Sequence, residues 1–229
     1  MRTLTVPGAD GVKISIQESG DPDAPPAVLL HALGDTAGDW GQVAAALGPD
    51  FRVLAVDLRG HGGSGRPGTY SFELMRDDVV AVLDALDLHD VILVGHSMGG
   101  VVAYLVALAQ PGRLARLVVE DAPPPYPRTR TLPERPPGEF PFDWAVVPAI
   151  AGQVNDPLRR WWPRLPEIMV PTLLVGGGGG SHIPQKLLTE VVGLIPDCTL
   201  VTLDAGHNVH AAVPDQFVAT LTAWLRERP

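Results

Sequence analysis

From Lys13 onward, short apolar runs alternate with longer segments whose apolar residues recur at helical spacing. The runs predict strands at Lys13–Ser19, Ala27–Leu30, Arg52–Asp57, Val91–Gly95, Leu114–Glu120, Thr172–Val175 and Thr199–Leu203. Several are unbroken four-residue apolar stretches, the pattern of strands buried on both faces of a parallel sheet. Between Ser71 and Leu86 the residues Phe72, Met75, Val79, Val82, Leu83 and Leu86 fall on one helical face. Glu73, Asp77 and Asp78 lie early in that helix, where its dipole favours negative charge. Further helices are expected over Val101–Leu108 and from about Pro214. The alternation predicts an α/β fold, a mostly parallel twisted sheet with helices on both faces.

The alternation breaks between Ala122 and Val170, which holds twelve of the 24 prolines together with Trp144, Trp161 and Trp162. Proline ends helices and is excluded from central strands, so short helices and irregular connectors are expected there. The chain then divides into a core, residues 1–121 and 171–229, and an insertion, residues 122–170.

A length of 229 residues suits one hydrophobic core. The net charge of −9, with no basic stripe, argues against nucleic acid as a partner. Cys198 is the single cysteine, so an intramolecular disulfide is impossible and burial near a strand is its expected role. The first ten residues lack a signal-peptide pattern, and no apolar run approaches the ~18 residues of a membrane span. Cytoplasmic residence without membrane association is therefore the expectation, and homo-oligomerisation stays open.

Chemistry enters at Val91-Ile92-Leu93-Val94-Gly95-His96-Ser97-Met98-Gly99-Gly100, a buried-strand run leading through G-x-S-x-G into a helix. The glycines at 95 and 99 allow a strand-to-helix turn in which backbones approach closely and Ser97 is held exposed and strained. The N–H of Met98, at a helix start, can stabilise an oxyanion. His96 is expected to be structural.

With these motifs the chain resembles the α/β-hydrolase family over nearly its whole length. His31-Ala32-Leu33-Gly34 is similar to the family's oxyanion loop, which implies Leu33 as a second donor beside Met98, although alanine stands at 32 where glycine is usual. Asp57-Leu58-Arg59-Gly60-His61-Gly62-Gly63-Ser64 is similar to a scaffold turn in which Asp57 and Arg59 are expected to pair. Leu203-Asp204-Ala205-Gly206-His207 resembles the catalytic histidine loop. His207 is thereby implied as the base, with His210 as the alternative.

The family's usual acid position falls on Gly179 or Gly180, which cannot orient an imidazole. A minority pattern in the family, L-V-x-x-D-x-x-P, puts the acid at the end of the preceding strand. Leu117-Val118-Val119-Glu120-Asp121-Ala122-Pro123-Pro124 resembles it. Adjacent strand residues face opposite ways, so only one of the two acids should reach His207, and Asp121 matches the motif. The glycine run Gly176 to Gly180 lacks the residues of a phosphate loop and is read as a permissive loop. His61, His89 and His182 lack metal-ligand spacing, and His182 is expected on a surface loop.

The resemblance implies that residues 122–170 form a cap, with Trp144, Trp161 and Trp162 as candidate substrate contacts. Arg128, Arg130, Arg159 and Arg160 could meet an acidic substrate, but solvated surface is the simpler expectation. The implied activity is cofactor-free and metal-free hydrolysis of a small ester, thioester or lactone: Ser97 attacks, His207 shuttles the proton and Asp121 orients it. Carbon–carbon hydrolase, perhydrolase and lyase relatives share the constellation. A non-catalytic ligand-binding scaffold is the rival from another class.

Overall fold

The computed structural model describes residues 1–128, 131–156 and 158–227. Eight strands form one sheet: β1 (Arg2–Pro7), β2 (Lys13–Ser19), β3 (Pro26–Leu30), β4 (Arg52–Asp57), β5 (Val91–His96), β6 (Leu114–Glu120), β7 (Thr172–Gly176) and β8 (Cys198–Thr202). The order is β1-β2-β4-β3-β5-β6-β7-β8, with β2 antiparallel to both β1 and β4 and the remaining pairs parallel. β1 was not expected. It is an edge strand in which only Val6 is buried and Arg2, Thr3 and Thr5 stay exposed, so its sequence carries little apolar signal.

Among the described residues the α-helices are α1 (Gly41–Leu47), α2 (Phe72–Ala85), α3 (Met98–Ala109), α4 (Val146–Val154, in the proline-rich insertion), α5 (Gln185–Val192), α6 (Val209–Ala212) and α7 (Pro214–Arg226). The two-residue period of the strands divides their side chains between two cores. Leu30, Leu93, Leu117, Val119 and Leu174 join the core under α2, α3 and α5. Leu29, Ile92, Val94, Val118 and Val175 join the core under α1 and α7. Each central strand is thus apolar on both faces, which is why its sequence reads as an unbroken run.

The α2 helix begins where Ser71 Oγ accepts a hydrogen bond from Leu74 N–H, a side-chain N-cap. Asp78, expected as an acid early in a surface helix, is buried and accepts from Arg59 Nη2 at 2.6 Å. The expected Asp57–Arg59 pair therefore does not form. Asp57 instead accepts from the backbone N–H groups of Ala37 and Gly63.

Within 122–170 the described residues hold α4, a short 3-10 turn (Trp162–Glu167) and a single bridge from Phe142 to His61. The low sheet content follows from the prolines.

Candidate active site

The site assembles at the carboxyl ends of β5, β6 and β7, the edge at which open parallel sheets bind ligands. At the β5–α3 turn Ser97 has φ 52° and ψ −111°, a conformation costly for a residue with a Cβ. The flanking glycines make the turn possible. A Cβ on Gly95 would lie 2.3 Å from the Gly99 carbonyl oxygen, and one on Gly99 would lie 2.3 Å from that of Leu30. Neither neighbour is a side chain that could swing away.

Asp121, immediately after β6, is also left-handed, with φ 45°. Its backbone N–H still donates to Val175 O, continuing the sheet, while its side chain turns towards the histidine loop. Ser97 Oγ donates to His207 Nε2 at 2.9 Å, and His207 Nδ1 donates to Asp121 Oδ2 at 2.7 Å. The Asp121 carboxylate also accepts from Gly177 N–H and Gln185 Nε2, each at 2.9 Å, and from Ser181 Oγ. Burial works to raise the Asp121 pKa, but the bonds from His207, Ser181, Gln185 and Gly177 prevail and hold it below the ordinary carboxylate value.

Ser181 and Gln185 were not anticipated. Their signal was indirect: an acid moved to β6 needs donors, and the loop after β7 is the nearest source. That glycine loop is more than permissive, since Gly177 donates to Asp121 and a Cβ on it would lie 2.0 Å from Gly206 O in the histidine loop.

Glu120 faces the other way, as the strand period requires, and serves His210. The His210 backbone N–H and Nδ1–H donate to the two Glu120 oxygens at 3.0 and 2.8 Å, and Nε2–H donates to Asp39 Oδ2 at 2.9 Å. The ring stacks on Trp40 at 4.1 Å. Burial disfavours charge on His210, yet the bonds to Asp39 and Glu120 outweigh it and push its pKa up to about 9. Two adjacent acids thus hold two histidines spaced i, i+3. Asp39, His96 and His210 each bring a potential metal-ligand atom within 4.8 Å of the others, but both His210 nitrogens already donate to carboxylates.

His96 Nε2–H donates to the His207 carbonyl at 3.0 Å, and burial lowers the His96 pKa to about 4. A neutral ring there braces the loop carrying His207. His182, expected on a surface loop, is solvent-exposed but packs its ring edge-on against His207, centroids 4.2 Å apart.

In the 31–34 loop, Ala32 is outside the left-handed region, and Gly34, at φ 91°, takes it instead. Alanine at 32 is therefore unstrained. His31 Nδ1–H donates to Ala32 O at 2.7 Å and Nε2 accepts from Leu58 N–H. Burial, with His61 nearby, lowers the His31 pKa to about 3. Gly34 N–H donates to His61 Nε2 at 3.3 Å, which gives His61 a part in fixing this loop.

Ser97, Leu33 and Met98 open on a cavity of about 230 Å³ whose apolar wall includes Phe72, Val101, Trp144 and Ile150. Trp161 and Trp162, expected as substrate contacts, are not among its lining residues. Trp161 packs edge-on against Phe72, and the buried Trp162 donates from Nε1 to Pro125 O at 2.8 Å. The Trp162 bond stays within the segment, while both rings pack against the core under α2, α3 and α5. Arg159 and Arg160 pair with Glu190 and Asp156, whereas Arg130 lies outside the described residues.

Residues 27–220 match the model of the alpha/beta hydrolase family. The chain is 27% identical to the sn-1-specific diacylglycerol lipase ABHD11 of Mus musculus, covering 90% of this chain and 82% of that one. It is also 27% identical to the esterase YbfF of Escherichia coli, covering 88% and 93%. Among solved structures it resembles Est816, described as an N-acyl homoserine lactone degrading enzyme, with a TM-score of 0.79, 26% identity and coverage of 96% and 99%. With a family match across most of its length, a sheet of the same architecture and ester hydrolases among its relatives, the chain belongs to the alpha/beta hydrolase family.

Proposed function

We propose that the chain is a serine hydrolase that cleaves a small carboxylic ester, thioester or lactone through an acyl-enzyme. The observation that carries this reading is the unbroken line of hydrogen bonds from Ser97 through His207 to Asp121. Ser97 Oγ attacks the substrate carbonyl while His207 Nε2 takes its proton, and the carboxylate of Asp121 stabilises the resulting imidazolium. The N–H groups of Leu33 and Met98 receive the oxyanion, the latter helped by the α3 dipole. His207 then protonates the leaving group. A water attacking the acyl-enzyme, with His207 again as base, releases the acid and restores Ser97. Residues 122–170 act as a cap over the nucleophile, and no metal or cofactor is required.

Two motives for a non-catalytic scaffold lose force. Ala32 is unstrained, and a carboxylate from β6 meets His207 although glycine stands at the usual acid position after β7. The test is kcat/KM on a series of p-nitrophenyl esters. Ser97→Ala and Asp121→Asn are expected to fall by about 10²-fold or more. Wild-type turnover no better than Ser97→Ala on every ester would sink the proposal.

A further inference from the structure

The cavity beside Ser97 is apolar along most of its wall, yet one lining residue, Arg128, carries a permanent positive charge. Cations in apolar pockets ordinarily hold a partner carboxylate, because an unpaired buried charge is expensive. In the same proline-rich segment the partly exposed Arg159, Arg160 and Arg164, outside the cavity, pair with Glu190, Asp156 and Glu167. For Arg128 no such carboxylate is found among the described residues. Its Nη1 donates to Tyr126 Oη at a long 3.3 Å, its guanidinium lies 4.9 Å from the centre of the Tyr126 ring, and its buried Nε has no partner. The Asp121 carboxylate lines the same cavity but is occupied by His207, Ser181, Gln185 and Gly177. The guanidinium is therefore oriented by an aromatic face and left with donors to spare.

We infer that Arg128 reads an anionic group on the substrate, and that the preferred substrate is an ester or thioester bearing a second, free carboxylate beyond an apolar spacer. The planar guanidinium of the half-buried Arg128 offers parallel N–H donors that match the two oxygens of a carboxylate. The spacer lies along the apolar wall. The free carboxylate takes no part in the bond changes, which remain those of the Ser97 acyl transfer. The inference rests on the hydrolase reading above.

Its test compares pairs of esters that differ by a carboxylate in place of a methyl group. On the acyl side, mono-p-nitrophenyl glutarate is set against p-nitrophenyl valerate; on the alcohol side, 4-carboxyphenyl acetate against 4-methylphenyl acetate. Wild type is expected to favour the carboxylate member of at least one pair, as the ratio of kcat/KM values, by about tenfold or more. Arg128→Gln is expected to abolish that preference and Arg128→Lys to restore part of it. Added salt should shrink the preference. Hydrolysis with no carboxylate preference in either pair, or a preference untouched by Arg128→Gln, overturns the inference and leaves the hydrolase reading intact. Absence of any turnover above Ser97→Ala overturns that reading and the inference with it.

Discussion

Glu120 and Asp121 are neighbours at the end of β6, yet their carboxylates serve different histidines. The pairing rule for strands predicts that only one can reach His207, and the G-x-S-x-G and G-H motifs are local enough to be read from the chain alone. What the chain does not disclose is where the second acid goes, because its partners His210 and Asp39 are distant in sequence. The same holds for Arg59, whose nearby Asp57 suggested a pair while the real partner, Asp78, lies on α2. The His210 network has a measurable consequence. Its folded pKa of about 9 lies above the ordinary histidine value of about 6.5, so its stabilisation is complete below about pH 6.5 and is lost as pH rises through about 9. The effect is on the order of 3 kcal/mol. Urea denaturation from pH 6 to pH 10 should show this loss in wild type and a flatter curve in Glu120→Gln; parallel curves would count against a charged His210.

At the scale of elements, the buried central strands announce themselves because both faces are apolar, whereas the edge strand β1 does not. The elbow between β5 and α3 is legible for a related reason: only glycine satisfies the contacts at 95 and 99. The loop between β7 and α5 is harder to read. Its glycines suggest freedom, but in the fold it lies against the histidine loop and presents Gly177 N–H and Ser181 Oγ to Asp121, joined by Gln185 Nε2 from the start of α5. In the proposed mechanism these donors position the Asp121 carboxylate, and neither Ser181 nor Gln185 lines the cavity. Removing two of them in Ser181→Ala/Gln185→Ala should lower kcat by about tenfold with KM nearly unchanged. It should also raise the Asp121 pKa towards the ordinary carboxylate value, read from the Asp121 carboxyl shift in an NMR titration. Unchanged kcat and an unchanged Asp121 titration would show that His207 and Gly177 hold the carboxylate unaided.

Across the whole molecule, the proline-rich segment is bound to the core at several separated points. Tyr70 Oη donates to Asp143 at 2.6 Å, Phe72 N–H donates to Gln153 Oε1 at 2.7 Å, and Gln153 Nε2 donates to Glu73 at 2.6 Å. Trp162, under the Arg159 guanidinium of the same segment at 3.6 Å, is buried in the core cluster that contains Phe72. The tryptophans that sequence alone suggested as substrate contacts thus divide by position. Trp144 faces the cavity, while Trp161 and Trp162 anchor the segment that forms its wall. Anchoring and substrate contact have separable signatures. Trp162→Ala removes a buried ring and its hydrogen bond, so it should cost about 3–5 kcal/mol in denaturant unfolding and speed proteolytic cleavage within 122–170. Trp144→Ala, at the cavity wall, should instead raise KM for esters with bulky apolar groups while changing stability by less. If both variants raised KM equally with no difference in stability or cleavage rate, the division between anchor and contact would be wrong.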